Sequence, residues 1–178
     1  ETLDWAAGVV SRFPNHRVIV ATHCYMGTNQ RDASSATSYN IAGNSGEQIW
    51  QKLVLKQPNI FLVVSGHILG VGMQTSVNDA GGKVFEMLSD YQGLANGGDG
   101  WLRWLHFVPS ENKIHVKTYS PLLDEFNRDP KESFFLDYQM DTASPPSICG
   151  GSSITVRANP TRRFRLRGNN GLRMRCNR

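Results

Sequence analysis

The sequence predicts an α/β fold: a parallel strand-helix-strand unit followed by antiparallel strands. Two short, continuous apolar runs at residues 18–21 and 61–64 carry the first half of that expectation. Each fits a strand buried on both faces, and a helical pattern between them supplies the crossover that parallel neighbours need. From residue 73 onward the pattern changes to short alternating runs separated by turn signals, which reads as antiparallel hairpins. The chain has 178 residues, enough for one domain with a real core.

The elements follow in order. Residues 2–13 have Leu3, Ala6, Val10 and Phe13 at helical spacing, with Thr2 as a cap and Asp4 in the first turn. Pro14 and Asn15 break this helix, and "VIVA" then forms the first strand, ending in Thr22-His23. A polar, glycine-containing loop is expected at 27–44, a length that is unusual for a connection without a function. Residues 45–57 form the second helix. Ser45 and Gln48 have capping-box spacing, Ile49, Trp50, Leu53 and Val54 make the apolar stripe, and Pro58 stops it. After the second strand, "MQTSVN" and "KVFEMLSDY" flank the turn Asp79-Ala-Gly-Gly82. "WLRWLHFV", "IHVKTY" and "SFFLDYQM" complete the antiparallel set. Trp101 and Trp104 point to opposite faces, so one is expected in the core. Residues 142–153, "TASPPSICGGSS", read as a linker.

Net charge is +4, but all eight arginines after Asp141 sit without a single acid among them. The remaining eleven basic residues face fifteen acidic ones, so the body carries −4 and offers no globally basic nucleic-acid face. No apolar stretch of about 18 residues encodes a membrane span. The first residue is Glu1, and no charged-then-apolar leader follows it, so upstream sequence is expected. Cys24, Cys149 and Cys176 form no CxxC pair and no disulfide framework. A Cys-His hydrolase built on Cys24 and His23 is disfavoured, because adjacent strand residues point to opposite faces. No nucleophile elbow and no phosphate-cradling P-loop occur. His106 and His115 read as sheet-surface histidines, and "NGGDG" at 96–100 as a mobile loop.

The chemistry-bearing pattern lies at the ends of the two buried strands, "VIVA-TH" and "LVV-SGH". Parallel neighbours lie about 4.8 Å apart. His23 and His67 would then stand side by side at the carboxyl edge, where open α/β sheets place ligands. Two imidazoles so close can share one metal; the alternative is that each is a capped, hydrogen-bonded structural residue. Gly66 and Gly70 would let the backbone turn sharply there. Asp32 and Asp90 are the candidate carboxylates, each also readable as a solvated loop or strand-end residue.

Residues 3–140 resemble the C-terminal half of calcineurin-like metallophosphoesterases. "VIVATH" is similar to that family's strand-histidine motif and "LVVSGHILG" to its final Gly-His-x-His block. "MLSDYQGLANGGDGWLRWLHF" and "TYSP" are similar to a bacterial branch, which favours an exported protein. The resemblance implies half of a four-layer αββα sandwich. It also implies two divalent ions of the Mn, Fe or Zn type, hydrolysis of phosphate mono- or diesters, and His23 and His67 as metal ligands. Residues 1–141 would be the C-terminal portion of the phosphoesterase domain and 142–178 a linker and tail.

Two departures matter. Leu69 stands where the family block usually ends in a second histidine, and it has no donor atom. The family's upstream Asp-x-His, Gly-Asp and Gly-Asn-His blocks do not occur in these residues. The chain therefore reads as a fragment whose partners would be the missing N-terminal half and a phosphate-ester substrate. The alternative is a non-catalytic interaction domain that kept the fold. The arginine-rich tail fits a small hairpin, a phosphate-backbone binder, or a disordered or out-of-frame end. Nucleic acid would be reached only through it.

Overall fold

The computed structural model describes residues 1–34 and 43–140. Residues 141–178, where the linker and arginine-rich tail are expected, lie outside the described residues, as do 35–42 of the long loop. The fold is mixed α/β. Its main elements are α1 (Thr2–Ser11), β1 (Val18–Thr22), α2 (Gly46–Lys52), β2 (Ile60–Ser65), β3 (Gly70–Val77), β4 (Lys83–Asp90), β5 (Leu102–Val108), β6 (Lys113–Ser120), β7 (Glu125–Asn127) and β8 (Phe134–Asp137), with a single helical turn at Ala95–Gly98. Among the described residues no helix is long and apolar enough to cross a membrane.

The strands form two four-stranded sheets. The first has the order β1-β2-β4-β3, and in the second β6 is flanked by β5 on one side and by β7 and β8 on the other. The first sheet separates two apolar clusters. One face meets the helices through Val63, Val84 and Leu88, packed with Val10, Ile49, Trp50, Leu53 and Val54. The other meets the second sheet through Leu62, Phe85 and Met87, packed with Ile114, Val116 and Leu136. Three layers result: helices, sheet, sheet. Beyond them, the outer face of the second sheet leaves Trp104 44 % and Phe135 61 % exposed.

Several sequence expectations are corrected. β1 and β2 are parallel neighbours as expected, with Thr22 opposite Ser65. Of these two strands, however, only β2 is buried on both faces. β1 is an edge strand whose Ile19 is 47 % exposed, because no described residue covers its outer side. Residues 73–140 are not purely antiparallel either: β4 pairs antiparallel with β3 but parallel with β2. Val84 through Leu88 are all buried, whereas β3 alternates with exposed positions. The strand buried on both faces therefore takes the interior of the sheet and its hairpin partner the edge. Thr2 is not the cap of α1. Glu1 holds that position without a side-chain cap. The first helix ends at Ser11, short of the exposed Phe13. The second ends at Lys52 and continues as a single 3₁₀ turn, Val54–Lys56. Neither Trp101 nor Trp104 belongs to either buried cluster.

The capping box at α2 forms in full. Ser45 Oγ accepts from the Gln48 amide at 3.2 Å, and the Ser45 amide donates to Gln48 Oε1 at 3.0 Å. Gly46 is obligatory beside it, since a Cβ there would overlap the Tyr25 carbonyl. The start of α2 is thus clamped onto the chain just after β1. Replacing Ser45 by Ala should cost about 1 kcal/mol and lower the thermal midpoint by roughly 2–4 °C. An unchanged midpoint by calorimetry would contradict this role for the cap.

Candidate metal centre

β1 and β2 each hand over a histidine at their carboxyl ends. The parallel ladder ends at the Thr22–Ser65 pair, and one further bond follows it: the Gly66 amide donates to the His23 carbonyl at 3.1 Å. The His23 and His67 rings then lie with centroids 4.5 Å apart and planes tilted by 45°. His23 is exposed and His67 half-buried. The sharp turn expected at Gly66 is made by His67 itself, whose φ is +68°. Histidine tolerates this left-handed region better than most residues, at a cost of roughly 1–2 kcal/mol. The Ile68 amide closes the turn on the Gly66 carbonyl at 2.8 Å.

Two imidazoles bound to one ion at about 2.0–2.1 Å per bond have centroids roughly 4.5–6.5 Å apart, depending on the angle between the bonds. The observed 4.5 Å fits the right-angle end of that range. Neither candidate carboxylate joins them. Asp32 accepts from the Ser34 amide and hydroxyl through Oδ1, and from the Cys24 thiol through Oδ2 at 3.4 Å. Asp90 accepts the backbone and side-chain amides of Gln92. Among the described residues no group of three or more His, Cys, Asp or Glu side chains forms a metal site. Leu69 is 56 % exposed and its branched end packs against Gly93.

A buried ionic network, invisible in the sequence reading, fixes the loop that carries His23. Glu86 of β4 is fully buried. Its Oε2 accepts from Tyr25 Oη at 2.6 Å and from Arg31 Nε at 2.6 Å, and its Oε1 accepts from Arg31 Nη2 at 2.9 Å and Gln74 Nε2 at 3.2 Å. Arg31 also donates to Glu47 at 3.1 Å and Ser76 at 2.6 Å, and its guanidinium lies 3.8 Å from the centre of the Trp50 ring. Burial raises the Tyr25 pKa, and the Glu86 charge adds to that effect. Burial alone would lower the Arg31 pKa, but the Glu86 carboxylate outweighs it and holds Arg31 firmly protonated. A lone charge inside an apolar strand such as "KVFEMLSDY" was the available signal, because a buried carboxylate needs a partner. Nothing marked Arg31 as that partner.

No family model matches the chain. It is similar to the "Uncharacterized protein YvnB" of Bacillus subtilis (strain 168), with 33 % identity over 136 residues. That alignment covers 71 % of the chain and 10 % of the relative, so the chain spans about a tenth of that protein's length.

Cys24 is buried, and its thiol is pushed up to about 11, first by burial and then by the neighbouring Asp32. A raised pKa keeps the thiol protonated at neutral pH, and only thiolate reacts. Treatment of the folded chain with iodoacetamide at pH 8 should therefore leave Cys24 unmodified by peptide mapping, with labelling rising as the pH approaches 11. Labelling at pH 8 as fast as a free cysteine would contradict this.

Proposed function

We propose that the chain is the C-terminal portion of a calcineurin-like metallophosphoesterase domain, in which His23 and His67 ligate one ion of a two-metal site. The pairing of the two rings at the carboxyl ends of neighbouring parallel strands carries the reading. The open flank of the two sheets supports it. Among the described residues β1 and β5 are both edge strands, and Ala21 and Thr22 line the same cleft as Arg103 and Leu105. Ile19 and Phe107 are left exposed on these strands. The other half of a four-layer sandwich would continue both sheets there and add the remaining helical layer.

The donor set decides what these residues can do. Two imidazoles are fewer than the three protein ligands that a catalytic site normally has. Divalent ions in a complete site would acidify a water and neutralise charge on the phosphoryl group. His23 and His67 would orient one such ion at the sheet edge. Leu69 offers only an apolar surface beside them, and this favours the second reading, a non-catalytic interaction domain that kept the fold.

The test is metal binding and turnover by the chain as given. Calorimetry with Mn²⁺ should find weak binding that both His23→Ala and His67→Ala abolish. Hydrolysis of a chromogenic phosphodiester should stay at the buffer-metal background. Binding indifferent to both substitutions would end the ligand assignment. Turnover that His67→Ala removes would show a site completed within these residues and end the fragment reading.

A further inference from the structure

A second histidine pair lies on the outer face of the second sheet, on strands separate from the first. His106 of β5 stands directly opposite His115 of β6 in the ladder. Their ring centroids are 5.8 Å apart. Bonds of about 2.0–2.1 Å to one ion allow centroid separations of roughly 4.5–6.5 Å, so this pair fits a wider bond angle than the first. Both rings are held from the side. His106 stacks on Trp104 at 5.5 Å with planes 10° apart, and His115 meets Phe135 edge-on at 4.6 Å. Glu111 lies 3.1 Å from His115 Nε2. A carboxylate on one ring nitrogen fixes the tautomer and leaves the other nitrogen as the donor, the arrangement found behind metal-bound histidines.

We propose that His106 and His115 bind one imidazole-preferring divalent ion of the Zn, Ni or Cu type, clamping the edge strand β5 to β6. Two imidazoles are the protein ligands, water completes the shell, and Glu111 is a positioning residue. Mg²⁺ and Ca²⁺, which require oxygen donors, are excluded by this donor set. The ion would act on β5, which among the described residues pairs with β6 alone. Lys113 and Lys117 are neighbours on β6, each within 6 Å of an aromatic ring centre, and their charge opposes a cation. The site is therefore a moderate clamp.

The experiment uses the full 178-residue chain carrying His23→Ala and His67→Ala, so that only this pair of strand histidines remains. Ni²⁺ titration by calorimetry should give one site, weakened at least about tenfold by His106→Asn or His115→Asn and severalfold by Glu111→Gln. With Cu²⁺, paramagnetic resonance should show coupling to two nitrogens, falling to one in His106→Asn. His106 is exposed, so its variant should fold with an unchanged metal-free thermal midpoint. Ni²⁺ affinity indifferent to both histidine substitutions, or a copper spectrum with no loss of nitrogen coupling in His106→Asn, would overturn the proposal.

Discussion

Glu86 is a carboxylate with no access to water, in the middle of a strand buried on both sides. Much of the surrounding structure follows from the need to satisfy it. An unpaired charge at such a place costs several kcal/mol, so the fold brings Arg31, Tyr25 and Gln74 to its two oxygens. Arg31 then extends to Glu47 on α2, Ser76 on β3 and the face of Trp50. One residue thus joins a helix, two strands and the loop. Tyr25 and Met26 lie just beyond His23, both fully buried, and the Met26 amide donates to Ser65 Oγ at 3.2 Å. The placement of the His23 ring is a consequence of this anchoring as much as of the β1–β2 ladder.

The parts of the fold legible in the sequence were those written in local pattern. Ser45 and Gln48 announced the capping box, and it forms with both bonds. The apolar run at 61–64 announced a strand buried on both faces, and β2 is one. The position of two histidines after two parallel neighbouring strands was enough to bring their rings together. What escaped was set by tertiary context. The exposure of Ile19 depends on which parts of the sheet face the second layer covers, which apolarity alone does not encode. The insertion of β4 between β2 and β3 depends on competition between hairpin strands for the sheet interior. The Arg31–Glu86 pair spans 55 positions in sequence, and a loop arginine looks the same whether it is solvated or buried.

The proposed metal ligands lie at one end of the first sheet. The histidine pair sits at the edge where three parallel strands end, and Gly66 abuts the end of β4 near Asp90. Yet Asp90 and Asp32 are engaged in their own local turns, and Leu69 is an exposed apolar side chain. The open flank formed by β1 and β5 lies beside that edge, and donors supplied across it would arrive next to His23.

The central claim, that the buried Arg31–Glu86 pair holds the histidine-bearing turn, is tested most directly by amide hydrogen exchange in Arg31→Met. The Gly66 amide, which donates to the His23 carbonyl, and the Met26 amide, which donates to Ser65, report on that turn. Loss of a partner for a buried charge is worth about 3–5 kcal/mol, equivalent to roughly a hundredfold or more in protection. The account predicts that these two amides lose protection to that extent while the β5–β6 ladder keeps its own. Unchanged exchange at Gly66 and Met26, or an equal loss across both sheets, would contradict it.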